Sequence, residues 1–158
     1  MNLSKLTAIA IIILMANAVV SGENMSDQDK QKLYKNLSPE SYHVAVECGT
    51  EPPFSGKYLY NKEEGTYVCI VCGNPLFSSE TKYDSGSGWP SFTDVLKSEN
   101  IKTKTDFRYG LQRTEVKCAQ CDAHLGHVFE DGPGKTGLRY CINSAALDFS
   151  QDSLKTDP

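Results

Sequence analysis

Six cysteines stand in the 158-residue chain, and four of them form two close pairs, Cys69-Ile70-Val71-Cys72 and Cys118-Ala119-Gln120-Cys121. Two C-x-x-C pairs make a four-thiolate tetrahedral site of the closed, structural kind, and Zn2+ is the ion that suits it. A turn residue follows each pair, Gly73-Asn74-Pro75 after the first and Asp122 after the second. That pattern fits a knuckle whose backbone amides point at the sulfurs. The 45 residues between the pairs exceed the spacing of a compact zinc ribbon, so the metal would clip two distant hairpins of one domain. The alternative is disulfide pairing, which an oxidising compartment favours. Paired C-x-x-C motifs are a poor pattern for two local disulfides, and neither pair has the βαβ surroundings of a thioredoxin-like redox centre.

Cys48 and Cys141 remain. Arg139 lies two residues before Cys141 and Asn143 two after, so on a strand all three would share one face. A cation beside a thiol lowers its pKa, and the thiolate is the nucleophile. The plain alternative is a buried, inert cysteine. His124-Leu125-Gly126-His127 is the next element. At this spacing two strand residues face opposite ways, and Gly126 suggests a bulge that turns both imidazoles to one side. They could serve as acid or hydrogen-bond donors, with Asp131 orienting one of them. A separate C-x2-C-x2-H-x2-H metal site is the competing reading, but it leaves Cys69 and Cys72 without a purpose. In Ser85-Gly86-Ser87-Gly88-Trp89-Pro90-Ser91-Phe92 the chain's one tryptophan sits between a permissive glycine and a rigid proline. A rigid indole displayed this way makes a wall for an apolar or sulfur-bearing group, or else fills a core.

The elements that must position these groups read as mainly β. Ser26 with Asp29 resembles a capping box and begins a polar helix to about Leu37, and Ser38-Pro39 opens a second short helix. Strand-forming runs follow at 56–60, 65–71, 82–84, 101–103, 114–117 and 138–142, separated by turn residues. The expected architecture is antiparallel β with two short N-terminal helices. The composition is globular, with 39% hydrophobic and 23% charged residues. A net charge of −4 argues against a nucleic-acid binder, which needs a basic field.

Residues 1–22 read as a secretory signal peptide. Lys5 is their only charged side chain, Leu6 to Val20 is mostly apolar, and small residues follow at Ala16-Asn17-Ala18 and Val20-Ser21-Gly22. The run is short for a membrane span. The expectation is a protein of the secretory pathway or the extracellular space, without stable membrane insertion after cleavage. Met25 offers a second start and hence a cytosolic form. Asn36-Leu37-Ser38 is a glycosylation sequon if the chain is secreted by a eukaryote.

Taken together, these residues resemble the methionine-R-sulfoxide reductase family, MsrB. The resemblance runs from about Leu37 to Phe149 and rests on GTEPPFSGKY (49–58), CIVCGNPLF (69–77), SGSGWPSF (85–92), CAQCDAHLGHVFEDGPG (118–134) and RYCINSAAL (139–147). Together with the signal-peptide reading of 1–22, it leaves a polar segment (23–36), the reductase domain (37–149) and a tail (150–158). It implies a small β-barrel-like pair of antiparallel sheets, with one structural Zn2+ on Cys69, Cys72, Cys118 and Cys121 opposite the active site. The implied reaction is thiol-dependent reduction of the R epimer of methionine sulfoxide in proteins and peptides.

By this resemblance Cys141 attacks sulfur and becomes a sulfenic acid. His124, His127 and Asn143 hold and protonate the oxygen, with Arg139 and Asp131 in support. Trp89 receives the ε-methyl group. Many members carry a recycling cysteine where this chain has Ser87, whose hydroxyl cannot form a disulfide. A subset carries it in the N-terminal region, which Cys48 matches. Cys48 would then resolve the sulfenic acid, and thioredoxin or a similar thiol reductant would restore the enzyme. The implied partners are oxidised proteins and peptides and that reductant, with the enzyme acting as a monomer. The competing class is a non-catalytic, zinc-clipped β module that binds peptides or acts as a chaperone.

Overall fold

A computed structural model describes residues 25–151. The signal-peptide reading of residues 1–22 lies outside the described residues. Ser26 caps helix α1 (Asp27–Tyr34), its hydroxyl accepting from the Asp29 amide at 3.3 Å. Asp29 answers by accepting from the Ser26 hydroxyl at 2.7 Å, rather than from the Ser26 amide as in a full capping box. The helix stops three residues short of Leu37. Ser38 caps α2 (Pro39–Ala45), with Pro39 in the first turn where a missing N–H costs nothing. Val44 and Ala45 of α2 are buried.

Nine strands follow among the described residues: β1 (Gly65–Cys69), β2 (Pro75–Ser78), β3 (Lys82–Tyr83), β4 (Ser91–Phe92), β5 (Ile101–Asp106), β6 (Arg113–Cys118), β7 (His124–Phe129), β8 (Arg139–Ile142) and β9 (Leu147–Gln151). They form a three-stranded sheet, β2-β1-β9, and a six-stranded sheet, β3-β4-β8-β7-β6-β5. All pairings are antiparallel. The two sheets pack face to face and do not close into a barrel. Their shared core is aromatic. Phe77 of β2 stacks on Phe92 of β4, with centroids 4.4 Å apart and planes at 16°, so each sheet contributes one ring. Such a pair adds about 0.5–1.5 kcal/mol beyond its buried area. Tyr67 of β1 meets Phe92 at 5.1 Å and is fully buried.

The run at 56–60 is not a strand. Its amides bond locally and to a side chain: Leu59 N–H to the Gly56 carbonyl, Asn61 N–H to the Tyr58 carbonyl, and Tyr58 N–H to Ser144 Oγ. Tyr58 and Leu59 are buried, so the β-forming residues mark core contact rather than a ladder. Strands β5 and β6 are longer than the runs that announce them.

Candidate active site

Strand β8 lies inside the six-stranded sheet, between β4 and β7. Cys141 on it faces Ser91 of β4 on one side and His127 of β7 on the other. The pairing of β7 with β6 skips Leu125, a bulge in the segment where Gly126 suggests one. The bulge lets the rings of His124 and His127 meet edge to face, centroids 5.5 Å apart. Gly126 itself is set by close approach, because a Cβ there would lie 2.1 Å from the Cys141 carbonyl oxygen.

Cys141, Trp89, His127 and Asn143 line one cavity of about 120 Å³, with Arg113 and Phe129 beside them. Drug-sized ligands need about 300–1,000 Å³, so this cavity suits the tip of a side chain. Larger clefts of about 440 and 480 Å³ lie elsewhere, but neither is lined by a cysteine or histidine. Cys141 Sγ stands 3.8 Å from Ser87 Oγ. Burial pushes the Cys141 thiol above its ordinary range, and the Ser87 hydroxyl and the Arg139 cation pull it back part of the way. Arg139 thus moderates a raised pKa and does not by itself produce a depressed one.

Asp131 does not orient a histidine. Its carboxylate takes two bonds from Arg139, Nε at 2.8 Å and Nη2 at 2.9 Å, and the guanidinium lies 4.5 Å over the Phe129 ring. Bidentate pairing and the ring fix the guanidinium in one place. The histidines use other acids. His127 Nε2–H donates to Asp106 at 2.9 Å, and His124 Nδ1–H donates to Glu115 at 2.6 Å. Both imidazoles are buried, which lowers their pKa and favours the neutral ring. His124 is sealed more deeply than His127 and does not line the cavity. Its Nε2 has no hydrogen-bond partner among the described residues.

Three positioning groups were not anticipated from the sequence. Asp106 accepts from Arg108, Arg113 and His127 together, and the Arg108 guanidinium above all holds its carboxyl far below the usual range. Glu115 is a buried acid within a strand, a signal in itself, since such groups need a partner. Glu51 is 3% exposed and accepts from the Ser144 and Ala145 amides at 2.7 and 2.8 Å. Its own amide donates to Asn143 Oδ1 at 3.1 Å, and its carbonyl accepts from Trp89 Nε1 at 3.1 Å. One residue therefore holds both the indole and the amide of the cavity wall.

Cys48 lies apart from that wall. Its Sγ, a carboxylate oxygen of Glu115 and a ring nitrogen of His124 are all within 4.8 Å of one another. Burial, then the Glu115 carboxylate, pushes its thiol up. Its backbone has φ of +59°, a left-handed conformation that costs a non-glycine residue about 1–2 kcal/mol.

The four remaining sulfurs lie within 4.8 Å of one another, with Cys69–Cys121 and Cys72–Cys118 each at 3.6 Å. None of these cysteines is in a disulfide. A tetrahedral ion with about 2.3 Å metal–sulfur bonds requires sulfurs about 3.8 Å apart, and the cluster fits that spacing. The two knuckles have the same backbone. Gly73 and Asp122 both adopt left-handed φ, at +73° and +69°. The Gly73 amide bonds the Cys69 carbonyl at 2.8 Å, and the Asp122 amide bonds that of Cys118 at 3.0 Å. One knuckle joins β1 to β2 and the other joins β6 to β7, so the cluster ties the small sheet to the large one.

Comparison with known proteins agrees with this arrangement. The SelR domain family model matches residues 37–151. Methionine-R-sulfoxide reductase B3, mitochondrial, of Mus musculus is 59% identical over 121 residues, covering 77% of this chain and 48% of that protein. The chain thus spans about half the length of the mouse relative. Peptide methionine sulfoxide reductase MsrB of Methanosarcina barkeri is 53% identical over 126 residues, covering 80% of this chain and 89% of the relative. The protein of that name from Escherichia coli O45:K1 is 55% identical over 120 residues, covering 76% and 88%. The family model's match over residues 37–151 and the identity to these relatives make the chain a member of the SelR-domain family, that of the methionine-R-sulfoxide reductases.

Proposed function

We propose that this chain reduces methionine R-sulfoxide in proteins and peptides to methionine, with Cys141 as the nucleophile. The observation that carries the reading is the shared cavity of Cys141, Trp89, His127 and Asn143. The Cys141 thiolate attacks the sulfoxide sulfur. Oxygen passes to Cys141 as a sulfenic acid, and methionine leaves. The step consumes one proton, which His127 delivers from Nδ1 only after that nitrogen has taken it up from a neighbouring water, because its Nε2–H is engaged by Asp106. Asn143 adds an amide, and Arg139 steadies the thiolate. His124 acts from behind, through the unpaired Nε2 of a ring that Glu115 holds.

Epimer choice rests on geometry. A buried methyl contributes about 0.8 kcal/mol and a sulfur–aromatic contact about 0.3–1.5, too little to reject the S epimer by affinity. Only one configuration sets methyl on Trp89, oxygen on the donors and sulfur on Cys141 at once.

The enzyme is then restored in two steps. The Cys48 thiol displaces the sulfenic oxygen as water and forms a Cys48–Cys141 disulfide. A thioredoxin-type dithiol reduces that disulfide by exchange. Cys48 must move to do so, because a disulfide needs Cα atoms within about 7 Å. Cys69, Cys72, Cys118 and Cys121 would hold one Zn2+, which supplies a cross-link between sheets and takes no part in the chemistry. Residues 1–22 direct the chain to the secretory pathway, with Met25 opening a cytosolic form, and the enzyme works as a monomer.

Epimer-resolved turnover tests the reading. With dithiothreitol or thioredoxin the R epimer should be consumed and the S epimer left, and Cys141→Ser should consume neither epimer. Equal use of both epimers, or an active Cys141→Ser protein, would refute it. A binding module would retain peptide affinity in Cys141→Ser and show no turnover in either form.

A further inference from the structure

Arg108 spends its guanidinium on two segments at once. Nε and Nη2 donate to Asp106 at 2.9 and 3.3 Å, and Nη1 donates to the main-chain oxygen of Cys48 at 2.8 Å. Asp106 in turn accepts from His127 Nε2 at 2.9 Å. A continuous line of hydrogen bonds therefore runs from the Cys48 carbonyl through Arg108 and Asp106 to a histidine on the cavity wall. Charge-assisted bonds of this kind are among the strongest a side chain makes. The residue at the near end is the strained one. Cys48 holds φ at +59° while the next amide, that of Gly49, is tied to the His43 carbonyl at 2.9 Å. A backbone in that region persists only where its surroundings enforce it.

We propose that Arg108 is a positioning residue that latches Cys48 in its resting place, and that releasing this latch frees Cys48 to reach Cys141. The inference rests on the reading of Cys48 as the resolving thiol. In the latched state Cys48 sits against Glu115 and His124, away from the wall that carries Cys141. The sulfoxide can then occupy the cavity without competition from the second thiol. Once Cys141 is a sulfenic acid, loss of the Arg108–Cys48 contact lets the backbone leave its strained conformation and carries the sulfur toward Cys141. The Cys48 sulfur is oxidised and the Cys141 sulfur reduced as the S–S bond forms. The S–O bond breaks, and the thiol proton leaves with the oxygen as water. Because the same guanidinium grips Asp106, the latch and His127 share one support.

The latch is tested by two readouts. In a Cys141→Ser background no disulfide can form, and iodoacetamide labelling of Cys48, resolved by peptide mass spectrometry, reports how often the thiol is released. The charged groups acting on this thiol are Glu115, Lys117 and Arg108, so rates are taken on the high-pH plateau, where the thiol pKa no longer matters. Arg108→Lys keeps the charge but cannot span Asp106 and the Cys48 oxygen together, and Arg108→Met removes the guanidinium. Both should raise the plateau rate about tenfold, the loss of one charge-assisted bond. Equal plateau rates in the three proteins overturn the latch.

The second readout keeps Cys141. After one equivalent of methionine R-sulfoxide, quenched samples give methionine release and Cys48–Cys141 disulfide separately. The ratio of the disulfide rate to the methionine rate should rise about tenfold in Arg108→Lys. An unchanged or lower ratio overturns the latch. A Cys48→Ser protein that cycles with thioredoxin at the wild-type rate would instead remove the resolving role of Cys48, and the labelling rates would still decide whether Arg108 holds it.

Discussion

The seam between the sheets gathers four sulfurs within 4.8 Å, while Cys141 stands in a small cavity with a serine hydroxyl at 3.8 Å and no second sulfur on its wall. Both regions are built on hairpins of the same domain, but Cys69, Cys118 and Cys121 are fully buried while Cys141 is only partly so. They differ in what surrounds the sulfur. At the seam, each knuckle turns through a left-handed residue and brings two sulfurs to one point, where a bound metal would share their charge. In the cavity, the thiol meets a single hydroxyl, an arginine already committed to Asp131, and a histidine held from behind by Asp106. A sulfur surrounded by sulfurs is a structural tie. A sulfur surrounded by hydrogen-bonding groups, with room for a side-chain tip, is placed where a group from another molecule can reach it.

Removing one seam sulfur should have the largest effect. Cys69→Ser is expected to lose bound metal and unfold much of the domain, since structural zinc is coupled to folding by about 10–16 kcal/mol in small peptides. Metal analysis and thermal denaturation check this, and a metal-free protein with an ordinary melting curve would erase the contrast between the two regions. Cys141→Ser should do the reverse: activity on the R epimer falls by about three orders of magnitude or more, while metal content and melting temperature stay near those of the parent.

Trp89→Ala removes the methyl wall and the bond to the Glu51 carbonyl, and kcat/KM should fall by about 10–100-fold, with the R preference weakened. Arg139→Met should push the Cys141 thiol still higher, because the cation now opposes burial. Alkylation of Cys141 against pH should then move to more alkaline values, slowing the reaction about tenfold at neutral pH.

The smallest effect concerns acid stability. His124 and His127 have folded pKa values below the unfolded value of about 6.5, because burial disfavours the cation. The unfolded chain therefore binds more protons as pH falls below about 6.5, and stability should decline from there. Asp106, also depressed, adds its loss only below about pH 3.9, where the unfolded chain takes up a proton that the arginine-paired carboxylate does not. A melting temperature that is flat from pH 7 to 5 would show that the histidines lie less protected than their burial implies.

The seam was legible in the sequence because ligand spacing and turn residues are local. So was the bulge at Gly126, since the two histidines and the glycine sit within four positions. Strands β2, β4 and β9 escaped notice, and β7 was glimpsed only through its two histidines. Two of these strands pair with neighbours far along the chain, β9 with β1 and β4 with β8. The run at 56–60 misled because aromatic residues favour both strands and core contacts. Asp131 misled because it is near the histidines in sequence, whereas the acids that hold them, Asp106 and Glu115, arrive from β5 and β6 across the sheet. Partners chosen by sheet register cannot be read from separation along the chain.

Strand β8 has partners on both sides, whereas Cys48 sits in the connection between α2 and β1. Amide hydrogens in such a doubly paired strand exchange with solvent only through large-scale opening, and those of a connecting loop exchange through small local fluctuations. Cys141 is therefore the more firmly anchored of the two, and any meeting of the thiols is accomplished by displacement on the Cys48 side. Deuterium uptake around residues 46–50 should rise and fall with the redox cycle, while uptake around residues 139–142 tracks only the stability of the whole domain.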